Sequence, residues 1–155
     1  MPNLKSLILS ISQNQSIIDA YQSEHLIKST LPYLDIFRFN FHCDLEENKD
    51  DAIVNKFKQF QSDFWQEEHH WYTEYVINKY SAWIYTIPYL SNKYVAHIDD
   101  IRYSNNLINN VNTFGNVADL TLDDDSPTKN CQFYFSNVTS LILNYRNLTK
   151  QNIED

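Results

Sequence analysis

Glycine occurs once in these 155 residues, at Gly115, and that scarcity excludes whole classes of function. A dinucleotide fingerprint, a phosphate-cradling loop and a nucleophile elbow each need at least two glycines, where backbone turns tightly or approaches a ligand. None of them fits this chain, which removes most nucleotide-dependent enzymes and the α/β-hydrolases. Cysteine is nearly as rare. Cys43 and Cys131 lie too far apart in sequence for a metal knuckle or redox pair, so a reduced, cytoplasmic setting is the expectation. Basic charge is the third deficit: 12 Lys and Arg against 20 Asp and Glu give a net charge of −8. Nucleic-acid affinity comes from clustered Lys and Arg that displace counterions, and the Lys56 and Lys58 pair stands alone. Neither nucleic acid nor an anionic membrane is an expected partner. Apolar runs are short as well, far below the about 18 residues that span a bilayer. The N-terminal Met1-Pro2-Asn3-Leu4-Lys5 lacks the features of a secretory signal.

What is present is a repeat. Asn-(Leu/Val)-x-x-Leu-x-Leu occurs at Asn3–Leu9, Asn116–Leu122 and Asn137–Leu143, with a looser copy at Tyr33–Phe39. An apolar residue also stands three places before the second position of each copy, at Met1, Leu31, Phe114 and Phe135. At 43% hydrophobic content the apolar pattern alone would arise about five times by chance. Fixing the Asn, the Leu/Val and both leucines at their observed frequencies leaves on the order of 0.02 expected matches. Repeats of this kind build surfaces for gripping partners more often than active sites.

Along the chain, residues 4–11 alternate as a strand, residues 16–29 place Ile17, Ile18, Ala20, Tyr21 and Ile27 on a helical face, and residues 35–41 are strand-like again. After a polar loop, Ile53, Phe57, Phe60 and Phe64 follow the rhythm of one buried helix face. Tyr72–Tyr80 and Ala82–Tyr89 read as an aromatic hairpin packed against that helix. Residues 92–113 show no period. The expected fold is α/β: an irregular leucine-rich-repeat-like βα solenoid with a largely parallel sheet. It forms a single domain over 1–155, with the aromatic β-hairpin in an irregular insert at about 44–113.

The repeat copies, together with Phe64–Trp71 and Tyr85-Thr86-Ile87-Pro88-Tyr89, resemble the leucine-rich-repeat-like region of lineage-expanded F-box proteins. The resemblance runs across the whole chain. It implies a non-enzymatic protein–protein interaction module, the substrate-recognition half of a ubiquitin-ligase adaptor. Two features depart from it: the F-box is absent from these residues, and Ser12, His42, Asp125 and Arg146 stand where regular repeats carry a turn-bonding Asn.

Because strand side chains alternate, the repeat leucines point inward and the residues between them outward. The expected partner-binding face is Ser6, Ile8 and Ser10; Ile36, Arg38 and Asn40; Asp119, Thr121 and Asp123; and Ser140, Ile142 and Asn144. The bland alternative is a sheet face that is solvated or covered by the hairpin. No cofactor or metal site is expected. Glu67-Glu68-His69-His70, flanked by Trp65 and Trp71, is the rival: a metal-dependent or acid–base hydrolase centred on Glu67–Trp71. Adjacent His on a helix point about 100° apart, whereas zinc helices space their ligands at i and i+4. Asp44–Asp50 lacks the glycine and bidentate acid of a calcium loop. The acids Asp99-Asp100 and Asp123-Asp124-Asp125 mark solvated loops or strand ends, and His42-Cys43 has no third orienting group. A truncated product without independent function is the remaining alternative. A repeat motif that begins at the first residues predicts a piece of a longer solenoid, or self-association through its open ends.

Overall fold

A computed structural model describes residues 3–12, 19–45, 50–97, 99–105, 111–123 and 133–144. The chain runs β1 (Ser6–Ser12), α1 (Ala20–Thr30), β2 (Ile36–Asp44), α2 (Asp50–Lys58), β3 (Thr73–Ile77) and β4 (Ser81–Thr86). It continues with β5 (Lys93–His97), β6 (Ile101–Tyr103), β7 (Asp119–Asp123) and β8 (Ser140–Asn144). The strands form a five-stranded sheet in the order β1-β2-β4-β3-β6 and a three-stranded sheet in the order β5-β7-β8.

This overturns the single, largely parallel solenoid. In the larger sheet only β1 and β2 run parallel, and the other three pairings are antiparallel. The described residues contain two α-helices and no repeating βα unit. The repeat copies do form strands, and neighbouring copies pair, Leu7 opposite Phe37 and Leu120 opposite Leu141. They are divided between two sheets, however. The reason is the hairpin. It is not an insert, because β4 hydrogen-bonds along β2 and occupies the place a third parallel strand would take. A hairpin closes a short loop, so the pairing of β3 with β4 costs little chain entropy, and β4 then offers β2 an antiparallel neighbour.

The first core lies between one face of the large sheet and the helices. Asp19 caps α1 by accepting from the Gln22 N–H at 2.9 Å, and only Ala20 and Ile27 of that helix are buried. The expected Tyr21 is exposed, and Ile17 and Ile18 lie outside the described residues. The expected Ile53–Phe64 helix keeps its buried face but breaks into α2, a 3₁₀ turn at Gln59–Gln61 and a π turn at Phe64–Glu68. That register change lets Phe60, Phe64 and Trp65 all enter the core against Phe37, Phe39 and Phe41 of β2.

The second core lies on the opposite face of β4 and β3, where Val76 and Tyr85 meet Tyr89, Tyr94, Phe114, Val117 and Leu120. The hairpin aromatics were expected against the helix, yet only Tyr75 packs there, on Phe57. Tyr85, Tyr89 and Tyr94 fill the second core instead. Within this layer Arg102 donates from Nε and Nη2 to Glu74 Oε2 at 3.0 and 2.7 Å, and from Nη2 to Thr113 Oγ1 at 3.1 Å. Its guanidinium also lies over the rings of Phe114 and Phe133.

Breaking a buried charge pair leaves an uncompensated charge in low dielectric. Arg102→Met should therefore lower unfolding free energy by about 3 kcal/mol in urea titrations. Adding Glu74→Leu should recover most of that loss. An Arg102→Met variant as stable as wild type would show that the pair does not hold the layer.

Candidate partner-binding face

The outward alternation predicted for these residues holds on β1 and on β2 as far as Arg38, and only partly on β7 and β8. Leu7, Leu9 and Ile11 turn toward the first core, so Ser6, Ile8 and Ser10 point the other way and are exposed, Ile8 at 62%. In β2, Phe37, Phe39, Phe41 and Cys43 are buried while Ile36 and Arg38 are exposed. The parallel register places Ile36 opposite Ser6, Arg38 opposite Ile8 and Asn40 opposite Ser10. Asn40 is half-buried because its Nδ2 donates to the Tyr89 hydroxyl at 3.4 Å, at the border of the second core. Its Oδ1 has no hydrogen-bond partner.

On the smaller sheet Asp119, Thr121, Asp123 and Ser140 are half-buried, while Ile142 at 51% and Asn144 are exposed. Strand β5 supplies two further outward residues, Lys93 and Val95, both exposed. Val95, Thr121 and Ile142 stand side by side across three strands. This strand was not predicted, since Val95 points outward and Ala96 inward, which blurs the alternation of Tyr94-x-Ala96 with its neighbours.

Between the two patches runs a row of rings. His42 lies 4.8 Å from Trp83 by ring centroids, and Trp83 stacks with His97 at 6.2 Å. Ser12 Oγ and His42 Nδ1 are 3.4 Å apart, and His97 Nδ1 lies 3.5 Å from Asp123 Oδ2. The row therefore joins the ends of β1, β2, β4, β5 and β7. Burial pushes the His42 pKa down, with nearby Asp44 opposing. Burial also lowers His69, helped by Lys28 and His70 and opposed by Glu68.

The rival segment at Glu67–Trp71 does not converge. His69 stacks on Trp71 at 4.1 Å and meets the edge of Phe64. His70 has a positive φ of 57° and places Nδ1 3.0 Å from the Gln66 carbonyl, turned toward Tyr72. The rings thus serve the core and the helix end, and no group of three His, Cys, Asp or Glu among the described residues could hold a metal ion. Asp99 and Asp100 instead secure turns: Asp100 accepts from the His97 N–H and from Asn78 Nδ2, and Asp99 from the Lys79 N–H. Asp124, Asp125, Cys131 and most of the Asp44–Asp50 loop lie outside the described residues. Cys43 is a free, buried thiol whose pKa burial pushes up to about 11. It stays protonated at neutral pH and faces away from His42, so the pair is no nucleophilic dyad.

No family model matches this sequence, and no curated protein or solved structure shows significant similarity to it.

A histidine whose folded pKa lies below its unfolded value of 6.5 opposes protonation by the folded state. It costs nothing above pH 6.5 and destabilises as pH falls through and below that value. Thermal midpoints of wild type should therefore decline as pH drops below 6.5, and His42→Asn with His69→Asn should flatten that decline. An unchanged slope in the double variant would remove these rings from the acid response.

Proposed function

We propose that the chain is a non-enzymatic protein-binding domain whose contact face is the outward side of β1–β2 together with that of β5–β7–β8. The observation that carries this reading is the placement of Ile8, Ile36 and Val95 in solvent on strands whose alternate residues are packed, with Ile142 of β8 exposed in line with Val95. Aliphatic groups so placed gain from burial against a partner, at roughly 25 cal/mol per Å² of apolar surface covered. Arg38, between Ile8 and the β4 side of the sheet, supplies a forked cation suited to a carboxylate or carbonyl on that partner. Rigid strands fix the spacing of these groups, so little side-chain order is lost on binding.

The more specific role, recognition of a target for a ubiquitin-ligase adaptor, is supported by the F-box-protein resemblance of the sequence alone. A cytoplasmic setting belongs to the same proposal, and the free Cys43 thiol is in keeping with it. Among the described residues no helix is long and apolar enough to cross a membrane.

The test uses a photo-crosslinking side chain at Ile8 or at Ile142, with Tyr21 on exposed α1 as the comparison, in extract from the source cells. Discrete adducts from the sheet positions and none from Tyr21 are expected. Arg38→Glu with Ile142→Asp should then weaken binding of the captured protein at least about tenfold, the result of losing some 1.4 kcal/mol at contacting positions, with an unchanged unfolding midpoint. Equal capture from Tyr21, or intact binding by the double variant, would move the interface elsewhere.

A further inference from the structure

We propose that copies of this chain join head to tail, β8 of one pairing in parallel with β1 of the next. The basis is a hydrogen-bond pattern that recurs wherever one strand follows another in parallel. The Asp35 and Ile36 N–H groups both donate to the Lys5 carbonyl, Ala118 and Asp119 to Asn92, and Thr139 and Ser140 to Ala118. In each case the donors are the first strand residue and the one before it, and the acceptor immediately precedes the earlier strand. The motif asparagine adds a second bond. Asn116 Nδ2 donates to the Tyr89 carbonyl at 3.1 Å and Asn137 Nδ2 to the Gly115 carbonyl at 2.6 Å. Each asparagine lies three residues before its strand, and each acceptor four residues before the preceding strand.

Applied to the two ends, the same rule gives one fit. Asn3 stands three residues before β1 and is exposed, the position of Asn116 and Asn137 but with no earlier strand beside it among the described residues. At the other end, Ser136 and Thr139 occupy the acceptor places relative to β8. Pairing β8 with a second copy's β1 would direct Asn3 Nδ2 to the Ser136 carbonyl and the Lys5 and Ser6 N–H groups to that of Thr139. The strands themselves match. Ser140-Leu141-Ile142-Leu143-Asn144 would lie in register against Ser6-Leu7-Ile8-Leu9-Ser10, so four of the five positions pair like with like.

Exposure shows what the pairing would cover. Tyr94 and Leu120, at equivalent places in β5 and β7, are 8% and 9% exposed, whereas Leu141 on β8 is 56% exposed. Among the described residues no strand pairs with the outer edge of β1 or β8. Because the two edges differ, the contact is heterologous and builds chains or rings of copies rather than a two-fold dimer.

Sedimentation of the full chain over a concentration series tests this, with average mass expected to rise with concentration. One variant blocks the β1 edge, Asn3→Asp with Lys5→Pro, and another the β8 edge, Leu141→Lys with Leu143→Lys. All four positions are exposed, so folding should survive, and unfolding midpoints check it. Each variant alone should be monomeric, while an equimolar mixture should give a 1:1 dimer through the two intact edges. Mixed Asn3→Cys and Ser136→Cys proteins should form the 3–136 disulfide in preference to 3–3 or 136–136. A wild type that stays monomeric throughout, a mixture that does not pair, or dominance of 3–3 cross-links would each overturn the proposal.

Discussion

The contact on which the two halves of this protein depend is the Arg102 guanidinium. It is tied to Glu74 of β3 and to Thr113, and it lies over the rings of Phe114 and Phe133. Glu74 is almost fully buried, and its second oxygen accepts from the Asn105 N–H. A carboxylate there is tolerable only because a cation and hydrogen-bond donors meet it. The arrangement lets β3 and β4 be buried on both faces, helices on one side and the second core on the other. It also sets the limits of that coverage. The β1–β2 half of the sheet extends past the second core, and its outward residues remain in water.

That asymmetry produces the candidate face. Had the second core reached β1, Ile8, Ile36 and Arg38 would be interior residues and Arg38 would need a buried partner. The border falls at Asn40 and His42. Both are half-buried, one hydrogen-bonded to Tyr89 and the other tilted against the Trp83 ring. Arg38, two residues earlier on the same strand face, is exposed. The surface is thus an open shelf next to a wall of aromatic rings, and burial at the wall is what lowers the His42 pKa.

Much of this was legible in short-range pattern and little of it in long-range pairing. Phe37, Arg38, Phe39 and Phe41 declare by alternation which side of β2 is core. The Asn-Leu/Val-x-x-Leu-x-Leu copies identify β1, β7 and β8 as strands that can lie beside related ones. Nothing local states that β4 pairs with β2, because that contact joins residues about 40 apart whose side chains suit several sheets equally well. The choice between one parallel array and two sheets depends on that pairing, and there the repeat misled. Strands β5 and β6 were missed for a related reason. Val95 and Ile101 face solvent, and Ala96 fills an inward place where a larger residue would have signalled a strand. The half-burial of Asp119, Thr121 and Asp123 likewise depends on their neighbours, as the His97 ring beside Asp123 shows.

The edges sharpen the same point. Exposed sheet edges invite pairing with other chains, and proteins that avoid it place Lys, Pro or a bulge there. Ser140–Asn144 contains neither Lys nor Pro, and its three central residues are all exposed and aliphatic. Ser6–Ser12 contains neither as well, with small serines at alternate places. Long-range repulsion from a net charge of −8 acts against indiscriminate collapse without blocking a particular register. In the head-to-tail register the two edges bring Ile142 beside Ile8 of the next copy, on the outward side of both sheets. Assembly would then continue the candidate face across copies rather than cover it, and a partner reading the aliphatic row would meet a longer row. Recognition and assembly are therefore compatible uses of one set of strands, because the first needs side chains normal to the sheet and the second needs backbone within it.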